Sequence, residues 1–214
     1  MDKSLCRIGV FYDGSFFTYA QLFFYKNNYG WIDFRAFHRL IEEILRKKEQ
    51  NFPNHRVVYA GWYQGLFAST QAEERQLRKD RNLHNDLIHA GIEAKYVPMS
   101  QNQKEKGVDV ALTVDAMEVG LGGKIDIAVL VTGDGDFVPL VRAFMKHGIR
   151  VTAAYFEYEN GNYKAFANDR LLTACNYTIN INRLEKDKQY QALFNGLFRK
   201  SEGYNNASSL QNEF

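Results

Sequence analysis

Short apolar runs rich in β-branched and aromatic residues recur along this chain, and segments of helical spacing separate them. Arg7 to Tyr12 reads RIGVFY, Arg56 to Tyr63 reads RVVYAGWY, and Ile125 to Val131 reads IDIAVLV. Runs of the same kind occupy Ile92 to Met99, Arg150 to Phe156 and Tyr177 to Ile181. Between them, Phe34, Phe37, Leu40, Ile41, Ile44 and Leu45 follow a capping Asp33 at helical spacing, with Arg46, Lys47 and Lys48 at the negative end of the dipole. Thr70-Gln71-Ala72-Glu73 fits a capping box that opens a polar helix running to about Ala90, where Gly91 stops it. A largely apolar helix is predicted from about Val108 to Val119, another from Phe137 to Lys146 with Pro139 in its first turn, and a short one near Lys164 to Cys175. Strands alternating with helices imply a mostly parallel sheet of five or six strands, covered on both faces. The fold class is therefore α/β. Residues 1–182 make the domain, 183–200 are expected to add a terminal helix, and 201–214 read as a disordered tail.

The 214 residues, 45% hydrophobic and 24% charged, suit one globular domain with ample core. Cys6 and Cys175 are too few for a disulfide framework or a thiolate zinc cluster. No run reaches the roughly 18 apolar residues of a spanning helix. Met1-Asp2-Lys3-Ser4 leads into the first strand without the apolar stretch of a signal peptide. The expectation is a cytoplasmic protein with no membrane partner. A net charge of +2 excludes no other partner, because a local basic patch can act inside a neutral total.

Ligands of such sheets bind beyond the carboxyl ends of the strands. Two strands here end in acids: Asp13 after IGVFY, and Asp134 with Asp136 after IAVLVTG. Asp109 stands in the first turn of the apolar helix. Like charges gathered in one cleft require a neutraliser, and Mg²⁺ or Mn²⁺ prefers carboxylate and water oxygens. An Asp at a strand end also serves as turn former or helix cap, and Asp136 is placed to cap the helix beginning at Phe137. Asp115, six residues beyond Asp109 and roughly 120° round the helix, reads as a supporting acid of the pocket lining or as a structural one. No third glycine gives Gly133-Asp134-Gly135 a dinucleotide fingerprint, and the chain has no phosphate loop, HExxH pair or GxSxG elbow.

Together, IGVFYDGS at 8–15, KGVDVALTVDAM at 106–117 and LVTGDGDFVPLVRAFMKHGIRV at 130–151 resemble the NYN domain of the LabA/DUF88 type, within the PIN-like nuclease superfamily. The resemblance spans about residues 6–182. It implies a PIN-like three-layer sandwich, an acidic Mg²⁺ or Mn²⁺ pocket and ribonuclease activity. By matching positions it makes Asp13, Asp109, Asp134 and Asp136 the catalytic metal ligands, with Ser15 and Thr132 lining the pocket. Phe16 stands where the family's first motif usually has Asn, and Asn176 where its last motif often has Asp.

These acids suit a metal-activated water cutting a phosphodiester, with no protein nucleophile needed. Lys104 and Lys106 precede the Asp109 helix and are candidates for phosphate contacts. Trp62 and Tyr63, at the end of their strand, are candidates to stack unpaired bases of single-stranded RNA. Arg75, Arg78, Lys79 and Arg81, interleaved with Glu73, Glu74 and Asp80, read as a solvated helix face. The run Phe16, Phe17, Tyr19, Phe23, Phe24 and Tyr25 suits core or a homo-oligomer interface better than a base platform. The alternative function is a non-catalytic nucleic-acid-binding or regulatory module on the same fold. A haloacid dehalogenase-type phosphatase is disfavoured, since its first strand should end D-x-D and position 15 is Ser.

Overall fold

Apolar runs of this kind need cover on both faces, and the architecture supplies it. A computed structural model of the chain describes residues 4–66, 74–98, 107–160 and 163–199. The strands are β1 (Leu5–Asp13), β2 (Trp31–Ile32), β3 (Asn54–Leu66), β4 (Glu93–Pro98), β5 (Ile127–Val131), β6 (Arg150–Tyr155), β7 (Tyr158–Asn160), β8 (Tyr163–Ala165), β9 (Tyr177–Asn180) and β10 (Phe198–Arg199). The helices are α1 (Gly14–Lys26), α2 (Phe34–Lys48), α3 (Glu74–His89), α4 (Val108–Leu121), α5 (Val138–Lys146), α6 (Asp169–Ala174) and α7 (Gln191–Asn195). Six strands form one parallel sheet in the order β4-β3-β1-β5-β6-β9.

Successive side chains of a strand face opposite ways. On one face Ile8, Val10, Tyr12 and Trp62 pack with Phe17 of α1, Phe37 of α2 and Leu87 of α3. On the other, Phe11, Tyr63 and Leu130 pack with Leu112 of α4, Phe144 of α5 and Leu171 of α6. The result is the expected three-layer sandwich. Helix α2 follows its spacing closely: its six predicted apolar positions are buried, and Asp33 Oδ1 accepts from the Ala36 N–H at 2.8 Å. At the amino edge, Arg7 forks onto Asp126 with two 3.0 Å bonds, which fixes β1 against the segment entering β5.

Two expectations need correction. The helix expected near Lys164 to Cys175 is only Asp169–Ala174, and a hairpin of β7 and β8 precedes it. Each hairpin strand is three residues long, too short for a period to register, and Tyr158 holds it down by stacking on Phe23 at 4.5 Å. The single helix expected over 183–200 is instead a 3₁₀ turn over Asn182–Lys186, the five-residue α7, and β10. Asp187 Oδ1 accepts from the Gln189 N–H at 2.9 Å, an Asx turn that competes with helix continuation. Strand β10 then pairs antiparallel with β2, a two-residue strand absent from the sequence reading. The capping box at 70–73 and the tail at 201–214 lie outside the described residues.

Two polar features inside this packing carry consequences. His38 Nε2 is buried with no hydrogen-bond partner among the described residues. Burial lowers the imidazole to about 4, against the opposing pull of the Asp33 charge. On the other face, Lys95 and Tyr63 both bond Asp115, and Tyr59 Oη donates to it at 2.7 Å. Burial alone would raise this carboxyl, but the bonds from Lys95, Tyr63 and Tyr59 outweigh it and hold Asp115 below its ordinary value. The network ties α4 to β3 and β4.

The unfolded chain protonates His38 near pH 6.5, whereas the folded chain resists until about 4. Its contribution to stability should therefore fall as pH drops through that window and level off below it. Denaturation curves of wild type and His38→Phe should show the variant flattening the slope by about one proton's worth. Asp115→Ala should cost about 1–3 kcal/mol in the same assay at neutral pH, by leaving buried donors unmet.

Candidate active site

Strand β1 is the point where the sheet's winding reverses, with β3 on one side and β5 on the other. A crevice opens beyond the carboxyl ends of strands at such a reversal. Tyr12 pairs with Val131 across β1 and β5, so the next residues, Asp13 and Thr132, leave the sheet side by side. Asp13 ends β1 and caps α1, its Oδ1 accepting from the Phe16 N–H at 3.1 Å. Its Oδ2 accepts from the Thr132 hydroxyl at 3.1 Å. The same Thr132 oxygen accepts from the Asp134 N–H at 3.2 Å, and Asp134 Oδ1 in turn accepts from the Asp136 N–H at 2.8 Å. Asp134, not Asp136, is thus the cap of the helical turn that follows.

Asp13, Thr132, Gly133 and Asp134 line one side of a cleft of about 490 Å³, together with Phe16 and Tyr19 of α1. Tyr158, Lys164, Ala165 and Phe166, from the hairpin and the residue after it, form the facing wall. The glycines of TGDG permit that approach. A Cβ on Gly133 would lie 2.7 Å from the Phe166 carbonyl oxygen, and one on Gly135 would lie 2.7 Å from the Asn168 side chain. Asn168 N–H donates to the Gly133 carbonyl at 2.8 Å, closing the contact.

Of the four aspartates, Asp13 and Asp134 share the cleft wall. Asp136 is exposed in the adjoining turn. Asp109 is exposed in the first turn of α4, which starts at the same sheet edge and runs back to the entry of β5. Among the described residues, no three His, Cys, Asp or Glu side chains stand close enough together to hold a metal ion. The donor set that remains, the carboxylates of Asp13 and Asp134, fits a hard cation that keeps most of its waters, since Mg²⁺ commonly takes only one or two protein carboxylates besides its substrate's oxygens.

Other expected members of the site fall elsewhere. Trp62 and Tyr63 are fully buried, because β3 is flanked by β1 and β4 and covered on both faces; no base can stack on them. Asp115 is absent from the cleft lining: its carboxylate lies behind the sheet with Lys95, Tyr59 and Tyr63, and is structural. Ser15 is half-buried in the first turn of α1 and is not part of the lining. Lys104 and Lys106, and the side chains of Arg75 and Lys79, lie outside the described residues, whereas Arg78 and Arg81 are exposed on α3. Asn176 works at the opposite, amino edge of the sheet, where its Oδ1 accepts from the Val151 N–H at 2.8 Å. Phe16 keeps the backbone half of its motif, bonding Asp13, and rests its ring on Phe156 at 5.8 Å.

Sequence reasoning missed Lys164, Phe166 and the part of Tyr19. Lys164 pairs with Glu159 across the hairpin, each side chain more than half exposed. Tyr19 and Phe166 are 54% and 57% exposed at the cleft. A hydrophobic run that turned one aromatic outward was the available signal, but at α1 the apolar residues surround the helix and conceal it.

No helix among the described residues is long and apolar enough to cross a membrane. A solved structure of a protein of unknown function from Vibrio parahaemolyticus is similar in fold, with a TM-score of 0.54 at 23% sequence identity, over 84% of this chain and 94% of that one. No curated protein matches the chain. The NYN domain family matches residues 7–182, a stretch holding all of the parallel sheet but the first two residues of β1, and both cleft acids. The chain belongs to the NYN domain family, part of the PIN-like superfamily of nucleases.

Proposed function

We propose that the protein is a divalent-metal-dependent ribonuclease that hydrolyses phosphodiester bonds of single-stranded RNA. The observation that carries this reading is the pairing of Asp13 and Asp134, from separate strands, in one cleft at the reversal of the sheet. Asp13 and Asp134 would hold Mg²⁺ or Mn²⁺, with Asp109 and Asp136 as further acids of the same edge. When bound, such an ion supplies an activated water and neutralises charge on the phosphate.

The chain's own groups do the rest. Thr132 keeps Asp13 from turning away, because its hydroxyl is fixed from the other side by the Asp134 N–H. Lys164 offers the facing wall a positive charge toward which an RNA phosphate is drawn, and Lys106 and Lys104 are proposed to extend that path. Among the described residues the cleft is lined by carboxylates, a threonine, a lysine and aromatics, a set that suits water as the nucleophile. The family supports a nuclease; the preference for RNA is the finer part of the proposal.

A second reading, a nucleic-acid-binding module without catalysis, has one observation in its favour: the acids are not gathered into a group of three. The two readings part in a cleavage assay. Purified protein should cut single-stranded RNA with Mg²⁺ or Mn²⁺, stop on addition of EDTA, and resume with excess Mn²⁺. Asp13→Asn and Asp134→Asn should each lower the rate by about a hundredfold or more, as expected when a reacting group is misplaced. Millimolar Mn²⁺ should raise the melting temperature of the wild type more than that of Asp134→Asn. Oligonucleotide binding without any cleavage would establish the module instead, and cleavage that survives Asp134→Asn would mark a contaminating enzyme.

A further inference from the structure

Two large aromatic rings stand at the mouth of the cleft with more than half their surface in water, Tyr19 at 54% and Phe166 at 57%. Neither is loosely placed. Tyr19 projects from α1, the helix that Asp13 caps, and Phe166 follows the hairpin at the point where its carbonyl meets Gly133. Asn168, two residues on, bonds the Gly133 carbonyl and fixes that segment beside Asp134. Each ring is therefore tied by backbone to one of the two cleft acids. Lys164, two residues before Phe166, shares the wall, and its exposed pair with Glu159 is weak enough to be exchanged for another anion.

We infer that Tyr19 and Phe166 are the base-stacking platforms of this cleft and that Lys164 is a phosphate contact, so that the β7–β8 hairpin is a substrate-binding wall for a single strand. The inference rests on the nucleic-acid reading of the same cleft, and it moves the base contacts from Trp62 and Tyr63, which the sheet buries. The chemistry is complementary throughout. A nucleotide offers an apolar face, which an exposed ring takes out of water, and one negative charge, which an ammonium meets. Stacking needs an unpaired base, since a duplex keeps its bases' faces against one another. The backbone that carries each ring is already held in place, so the ordering cost that opposes the contact is confined to the side chain. The Tyr19 hydroxyl adds polarity at the rim, whereas Phe166 contributes its face alone.

The test uses the full chain and fluorescence anisotropy with two labelled strands of equal length, an oligouridylate and an abasic strand, in Ca²⁺ buffer, with cleavage in Mn²⁺ measured separately. Wild type should prefer the base-bearing strand, and Tyr19→Ala and Phe166→Ala should each weaken its binding by about 5- to 150-fold while leaving the abasic strand's affinity unchanged. Tyr19→Phe and Phe166→Tyr should retain the preference. Lys164→Ala should weaken both strands alike and lower the salt slope by about one. Equal affinity of wild type for the two strands, no binding to either, or alanine variants that loosen both equally would overturn the platforms, and an unchanged salt slope would overturn the part given to Lys164. Base-dependent binding without cleavage upholds the subsite while the nuclease reading fails; cleavage without base preference does the reverse.

Discussion

One buried hydroxyl holds the carboxyl edge together. Thr132 is 1% exposed, donates to Asp13 and accepts from the backbone of Asp134, so it uses both of its bonding roles on the two acids of the cleft. Without it, Asp13 would lose the hydroxyl that its Oδ2 accepts from, and the turn after β5 would lose the bond that sets where Asp134 begins. The arrangement also limits repulsion. Each carboxylate receives hydrogen bonds through one or both of its oxygens, and Asp134 stays open to water, where like charges cost far less than in a dry interior. An acid pair so arranged remains available to a cation without straining the fold that presents it.

Residues with a strong period were legible from the sequence. Helix α2 has one apolar stripe, one polar face and a cap, and it forms over Phe34–Lys48 as its spacing requires. The central strands were legible because runs such as IAVLV have no polar face to show to solvent, and only a covered parallel sheet accepts them. The hairpin and β10 were not legible, because two- and three-residue strands carry no period. Their places are set by tertiary contacts: the stack of Tyr158 on Phe23, and the fork of Arg199 onto Asp86 at 3.1 and 2.8 Å.

The site was legible as chemistry and less so as geometry. Asp13 and Asp134 were readable because each follows an apolar strand at the edge where ligands bind. Asp115 looked similar in composition, yet a helix turns it toward Tyr59, Tyr63 and Lys95, where it satisfies three donors from two neighbouring strands. Trp62 and Tyr63 illustrate the same limit from the other side. Their position at a strand's end suggested exposure, but β3 continues to Leu66 and both faces of the sheet at that level are already covered.

The TGDG turn shows how a motif's glycines acquire meaning only in three dimensions. Read along the chain, Gly133 and Gly135 make a tight turn that presents acids. In space, they are the surface against which the chain leaving the hairpin is pressed, since a Cβ at either would collide with Phe166 or Asn168. That contact converts an open strand edge into a two-walled cleft, with carboxylates on one wall and a cation and two aromatics on the other. A single small residue type therefore couples the acids to whatever the hairpin presents.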